Sequence, residues 1–449
     1  MKTYRFASRF FTIIALCLLI TVSASAVPAN TTPPEVAASA AILIELNTDT
    51  ILMEKDADKK IYPASLTKVM SCLVILENSN LTDMVTVKES AFEGLDEFSS
   101  SSGLKAGETL SIETLLYCIM LSSGNEACNV AAEHLFGSVD AFVAKMNTRA
   151  LELGCTGTHF KNVHGLHDAD HYTTARDLSI ITKEALKNNT FRTIVSTHTY
   201  KMPATNLSGP RTLTTTNQLI LPTAGNIYYD KRVSGVKTGF TTPAGRCLIA
   251  TAEENNIRLL SIVCGCATKI LPSGDLEFGS FPETKKLLDY GLNNFTYCTL
   301  LTKIYPMAEI PVSNSAGADF VSLAPAEEIT ALLPAGYNPE LLKTVTSLVS
   351  DTGVSAPITA GTTLGLVQIF YGDELVGQTD LVAITDVAKA SLLGMFGDGS
   401  SKTDQWLSIL LVALVILAAT VLIVLLVQIV RQKRSYRSRY ATSRRRGKR

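Results

Sequence analysis

The amino-acid sequence predicts an α/β (α+β) domain, a small β-rich domain after it, and one membrane-spanning helix near the C-terminus. Three observations support this architecture. Helix-spaced apolar residues dominate from Ser65 to about Asn189, with extended segments before and after them. From about Asn294, short extended runs alternate with turn residues. Trp406 to Val430 contains no charged residue and consists mostly of Leu, Val, Ile and Ala.

Along the chain, residues 1–26 read as a secretory signal. Lys2, Arg5 and Arg9 precede an apolar stretch from Phe10 to Val22, and Ala24-Ser25-Ala26 fits a cleavage site. Residues 27–37, with Pro28, Pro33 and Pro34, read as a linker, and 38–293 as the first domain. Within it, Ala41–Glu45 and Ile51–Met53 flank Asn47-Thr48-Asp49 as a hairpin. Pro63 disfavours helix before it, so a helix is expected to begin at about Ser65 and to bury Leu66, Val69, Met70, Leu73 and Val74. Gly235–Gly239, Cys247–Ala252 and Leu259–Cys264 read as strands, and Glu283–Asn293 as a closing helix. The β-rich domain is expected over 294–391, with extended runs at Glu309–Val312, Leu364–Ile369 and Leu381–Ile384. Nothing in it looks catalytic, and a pedestal role is expected. Residues 392–405, with Gly394, Gly397 and Gly399, read as a flexible neck. The 25 residues from 406 to 430 span about 37 Å as a helix, enough for the roughly 30 Å hydrocarbon core. Residues 431–449 hold ten Lys and Arg and no acid, which places this tail in the cytoplasm.

The chemistry is written in three short motifs. Ser65 and Lys68 stand three positions apart in Pro63-Ala64-Ser65-Leu66-Thr67-Lys68, so on a helix they share one face. A serine is a poor nucleophile until a neighbouring base takes its proton, and a lysine held beside it can be that base. Taken alone, Ser65 reads equally well as a helix N-cap. Two further motifs change this: Ser123-Gly124-Asn125 supplies a second hydroxyl and an amide, and Lys237-Thr238-Gly239 supplies a cation and a hydroxyl. A second Ser-x-x-Lys, Ser102 to Lys105, follows a run of serines and precedes Ala106-Gly107, so it reads as a loop without chemistry.

This ordered set resembles that of the penicillin-binding proteins and class A β-lactamases. Within that superfamily the chain resembles the low-molecular-weight penicillin-binding proteins, the serine D-alanyl-D-alanine carboxypeptidases. Met146-Asn147, Leu153-Gly154, Phe160, Asn162, His164-Gly165-Leu166 and Thr174-Ala175-Arg176-Asp177 extend the likeness, which covers roughly residues 38 to 390. The resemblance implies a penicillin-binding/β-lactamase-like transpeptidase domain, with a sheet built from both chain ends and helices on its faces. It implies removal of the terminal D-alanine from peptidoglycan stem peptides through a Ser65 acyl-enzyme, with β-lactams as covalent inhibitors. Lys68 is then the base and Ser123 a proton relay, while Asn125, Lys237, Thr238 and Gly239 bind substrate. The backbone N–H groups of Ser65 and Phe240 form the oxyanion hole. Members often carry an aspartate where this chain has Ser234, so the contacts supporting the third motif are expected to differ. Arg246 is open to two readings, a second carboxylate partner or a surface ion pair. A DD-endopeptidase and a non-enzymatic acylated sensor of the wall or of β-lactams remain alternatives. A β-lactamase would need a deacylating glutamate, for which Glu152-Leu153-Gly154 is the nearest match.

The near-neutral total hides an asymmetry. Of 40 basic residues, three lie in the signal and ten in the tail, which leaves 27 against 41 acids and a net of −14. An acidic exported domain argues against a nucleic-acid partner. The mature chain has eight cysteines, several in apolar stretches, and these read mostly as buried free thiols. Cys264 and Cys266 are expected to point to one side of a strand. No cofactor is implied, and no metal: His164, His167 and His171 fall in a loop segment of the family likeness. The expected location is the cell membrane, single-pass through 406–430, with the catalytic domain outside the cytoplasm.

Overall fold

The computed structural model of this chain describes residues 31–390 and 402–443. The proposed signal segment, most of the neck and the last six residues lie outside them. The described residues divide into two compact units: 31–300 with 330–344 and 369–377, and 301–329, 345–368, 378–390 and 402–443.

The first unit is built on a five-stranded antiparallel sheet: β1 (Ala40–Glu45), β2 (Thr50–Lys55), β3 (Val233–Thr241), β4 (Gly245–Glu254) and β5 (Ile257–Cys266). Their order is β2-β1-β5-β4-β3, so the N-terminal hairpin pairs with the last strand of this sheet in chain order. Side chains alternate across a strand. Ala40, Ile42 and Ile44 therefore join one apolar cluster, while Ala41 and Leu43 join another on the opposite face. The first cluster also contains residues from α1 (Lys68–Asn78), α2 (Ile112–Met120), α3 (Asn125–Phe136), α4 (Val139–Glu152), α5 (Ala175–Leu186) and α6 (Asn189–Ser196). The second packs Leu287, Leu288 and Leu292 of α7 (Ser280–Asn294) under the sheet. Residues such as Ile42 and Leu66, fully buried in the first cluster, each cost about 2–5 kcal/mol when truncated to alanine.

Several helices start where a side chain can satisfy orphan N–H groups. Thr174 Oγ1 accepts from Asp177 N at 3.0 Å to open α5, and the Ser111 and Ser138 hydroxyls cap α2 and α4 in the same way. Each cap stabilises by about 1 kcal/mol.

Two local expectations are corrected. Cys264 and Cys266 pack in different apolar clusters, one on each face of the sheet. Between them Gly265 adopts φ +73°, and the β4–β5 register shifts between Arg246 and Leu248, so the simple alternation breaks there. The stretch expected as a linker is docked from Thr31 onward rather than free. Val36 is buried, Ala37 N donates to the Glu283 carboxylate, and Lys55 Nζ donates to the Val36 carbonyl. The eight cysteines of the described chain are free thiols, and all but Cys298 are buried.

The second unit is β-rich. Ala308–Ser313 pairs antiparallel with Phe320–Pro325, whose end pairs with Leu381–Ala383 of a later strand, and Val354–Ser355 adds in parallel. Helix α8 (Lys402–Ser443) contains a 25-residue stretch, Ile409–Lys433, whose most apolar 18 residues have a mean hydropathy of 3.4. Among the described residues it is the one helix long and apolar enough to cross a membrane.

Candidate active site

Helix α1 does not begin directly at Ser65. A 3-10 turn, Ala64–Thr67, leads into it. The tighter winding helps the chemistry, because residues i and i+3 eclipse in a 3-10 turn. Lys68 Nζ accordingly lies 3.0 Å from Ser65 Oγ. It also donates to Asn125 Oδ1 and to the His164 carbonyl, each at 2.7 Å. Ser123 Oγ approaches Ser65 Oγ from another direction, also at 3.0 Å. The first two motifs therefore meet at one hydroxyl.

Lys68 is fully buried. Burial pushes its pKa down from 10.5 to about 8, and the charges of Cys128 and Glu126 oppose this. The Cys128 thiol is itself pushed up to about 11 by burial, so it is neutral where Lys68 titrates. Glu126 is thus the effective counter-charge. A neutral Nζ has a lone pair for the Ser65 proton. Lys237 is also buried, and both burial and the Lys68 charge hold its pKa well below the ordinary value. Its Nζ donates to the Thr238 carbonyl. An incoming carboxylate would favour its charged form.

The second motif is held by the serine-rich loop. Glu126 Oε1 accepts from Ser101 Oγ, Ser102 N and Ser102 Oγ at 2.6–2.8 Å, and Asn125 N donates to the Ser100 carbonyl. A Cβ on Gly124 would stand 2.6 Å from Ser102 Oγ. The second Ser-x-x-Lys therefore lies in a loop, as expected, and that loop fixes the position of the second motif.

The third motif runs along β3, against the nucleophile turn. A Cβ on Gly239 would stand 3.1 Å from the Pro63 carbonyl oxygen and 3.2 Å from Ser65 N. Glycine here lets the strand approach the Ser65 amide, with Phe240 next along the strand. Ser234, in place of the aspartate common in the resemblance, pairs its hydroxyl with Thr251 on β4 at 3.0 Å. The Thr238 hydroxyl meets that of Thr216.

Sequence reasoning missed several supports. Gly165 sits at φ +93°, and a Cβ on it would lie 1.9 Å from the Ala64 carbonyl oxygen. Ala64 itself is at φ +48°, an uncommon backbone setting for alanine that costs about 1 kcal/mol or more. His171 Nδ1 accepts from Lys161 N, so its proton sits on Nε2, which donates to Thr67 Oγ1 at 2.8 Å. Thr67 Oγ1 in turn donates to the Ala64 carbonyl. This chain fixes the strained turn. Burial pushes the pKa values of His164 and His171 down to about 3 and about 4, so both rings are neutral supports. His164-Gly165 was visible as a family segment, but its role lay in contacts about 100 residues away. No cluster of His, Cys, Asp or Glu placed to hold a metal occurs among the described residues.

Ser65 opens into a cleft of about 540 Å³ whose walls include Ser123, Asn125, Thr238, Phe98, Phe240 and Arg246. Among the described residues Arg246 forms no ion pair. Its guanidinium lies 3.9 Å from the centre of the Phe240 ring and 3.8 Å from that of Phe278. Glu152 ends α4, paired with Arg149, and is not among the cleft walls. The arrangement gathers a serine hydroxyl, a desolvated amine, a second hydroxyl and a second buried amine, a set with the chemistry for acyl transfer on a substrate ending in a carboxylate.

Comparison with known proteins agrees. The family profile described as D-alanyl-D-alanine carboxypeptidase matches residues 27–268, and that of the penicillin-binding protein 5 C-terminal domain matches 295–389. D-alanyl-D-alanine carboxypeptidase DacF of Bacillus subtilis is 30% identical over 79% of this chain and 87% of its own length. DacA of Escherichia coli K12 is 31% identical over 81% and 87%. The crystal structure of penicillin binding protein 5 from Haemophilus influenzae superposes with a TM-score of 0.62 at 29% identity, covering 80% of this chain and 100% of that one.

Proposed function

This chain belongs to the D-alanyl-D-alanine carboxypeptidase family, and on that premise we propose that Ser65 is the nucleophile of a two-step acyl transfer in the cleft described above. The chain is a serine D-alanyl-D-alanine carboxypeptidase, a hydrolase that removes the terminal D-alanine from peptidoglycan stem peptides. The observation that carries the assignment of Ser65 is the pair of 3.0 Å contacts from Lys68 Nζ and Ser123 Oγ to its hydroxyl.

Neutral Lys68 takes the Ser65 proton as Oγ attacks the carbonyl of the penultimate D-alanine. The oxyanion forms against the N–H groups of Ser65 and Phe240. The C–N bond then breaks, and the proton passes from Lys68 through Ser123 to the departing amine of D-alanine. Water attacks the Ser65 ester, with Lys68 again the base, and regenerates the free serine. Asn125 holds the substrate amide and Lys68. Lys237 and Thr238 bind the terminal carboxylate, and Gly239 lets β3 approach. β-Lactams acylate Ser65 by the same first step.

The chain organisation we propose is a signal peptide (1–26), a short N-terminal segment (27–37) that packs on the catalytic domain from Thr31, a catalytic domain (38–293), a β-rich domain (294–391), a neck (392–405), a transmembrane helix (406–430) and a cytoplasmic basic tail (431–449). The apolar stretch of α8 supports the anchor, and the basic run after it supports the orientation.

The test is to label the detergent-solubilised full chain with penicillin and map the adduct by peptide mass. An adduct on the peptide containing Ser65, lost in Ser65→Ala, is expected. An adduct on Ser123 or Ser102 would overturn the assignment.

A further inference from the structure

Arg246 is the cation among the cleft walls, and nothing in the acyl-transfer scheme uses it. It opens β4 and stands opposite Phe240 in the β3–β4 register. Its guanidinium is clamped between the Phe240 and Phe278 rings, at 3.9 and 3.8 Å. Its Nε donates to Thr268 Oγ1 at 3.1 Å, and no carboxylate pairs with it among the described residues. Stacking on both faces leaves the guanidinium edge to recognise a planar anion. An arginine stays charged even though burial lowers its pKa. A rigid, partly buried, unpaired arginine on a cleft wall is costly unless something binds it.

Direction along the cleft identifies what it meets. The terminal carboxylate lies at Lys237 and Thr238, and the attacked carbonyl beside Ser65 and Phe240. The rest of the peptide therefore continues past Phe240, toward Thr241 and the start of β4, which is where Arg246 stands. This step rests on the proposed carboxypeptidase roles. We propose that Arg246 is a specificity-determining residue that binds a second carboxylate on the acyl side of the scissile bond. The preferred substrates are then stem peptides whose residue before D-alanyl-D-alanine carries an acidic side-chain terminus, a diamino dicarboxylic acid rather than a lysine. The two rings cover the hydrocarbon arm, and the guanidinium takes the carboxylate at its end.

The test compares three synthetic peptides that differ in that residue: a diaminopimelate with its free side-chain carboxylate, the same residue amidated, and lysine. D-alanine release is measured with the detergent-solubilised full chain. Wild type is expected to favour the free acid over the amide by about tenfold in kcat/KM, the value of a charge-assisted hydrogen bond. Arg246→Gln is expected to erase that preference and leave the other two peptides, and penicillin acylation, within about twofold. Equal turnover of acid and amide by wild type would overturn the proposal without any variant. So would an equal loss for all three peptides in Arg246→Gln, which marks a merely structural clamp. Release from none of the three by a wild type that still takes up penicillin would instead contradict the carboxypeptidase roles.

Discussion

At the scale of single residues, activation of Ser65 turns on the protonation of Lys68. Its pKa is lowered, so the active neutral form is lost as pH falls through about 8. The second-order rate of Ser65 acylation by penicillin should therefore rise about tenfold per pH unit up to that point and then level. A flat profile between pH 6 and 9 would contradict the assignment of Lys68 as base. The rising limb belongs jointly to the two buried lysines, because each disfavours the other's charge. Gly239→Ala is a steric test. Its Cβ would press on the Pro63 carbonyl and the Ser65 amide, so kcat should fall at least tenfold with little change in melting temperature, as expected for a small misplacement of the oxyanion hole. An unchanged kcat would show that the hole lies elsewhere. The motif residues were legible because their types and order are chemically specific. Gly165, Thr67 and His171 were not, because their function is a contact made across the fold: Thr67 and His171 stand 104 positions apart.

At the scale of elements, the sequence pattern located the strands of the five-stranded sheet but underestimated their length, and it missed others, such as Phe320–Pro325 and Ile329–Pro334. β3 runs from Val233 to Thr241, where five residues were expected. Apolar content marks the buried middle of a strand, whereas its ends are set by pairing with neighbours. The 3-10 entry to α1 was likewise hidden, since apolar periodicity does not separate the last turn of 3-10 from the first turn of α. The loop carrying the second Ser-x-x-Lys was read correctly as a loop. Its role in bracing Asn125 depends on Glu126, which the local pattern gives no reason to single out. Glu126→Gln should weaken three hydrogen bonds to Ser101 and Ser102. The expected cost is about 1–3 kcal/mol in unfolding free energy, with a raised KM. A variant with wild-type stability and KM would show that the loop needs no charged partner.

At the scale of the whole molecule, the order of motifs and the long apolar run were the most legible features, because neither depends on tertiary detail. The proposed anchor predicts that the full chain partitions with membranes and resists alkaline carbonate, whereas a chain ending before Lys402 is released. Release of the full chain by carbonate alone would contradict a spanning helix. The central claim is hydrolysis at Ser65, and its most direct measurement is D-alanine release from a synthetic peptide ending in D-alanyl-D-alanine, by wild type and by Ser65→Ala. Release by wild type and none by the variant is expected. Release by a folded Ser65→Ala protein at the wild-type rate would contradict it.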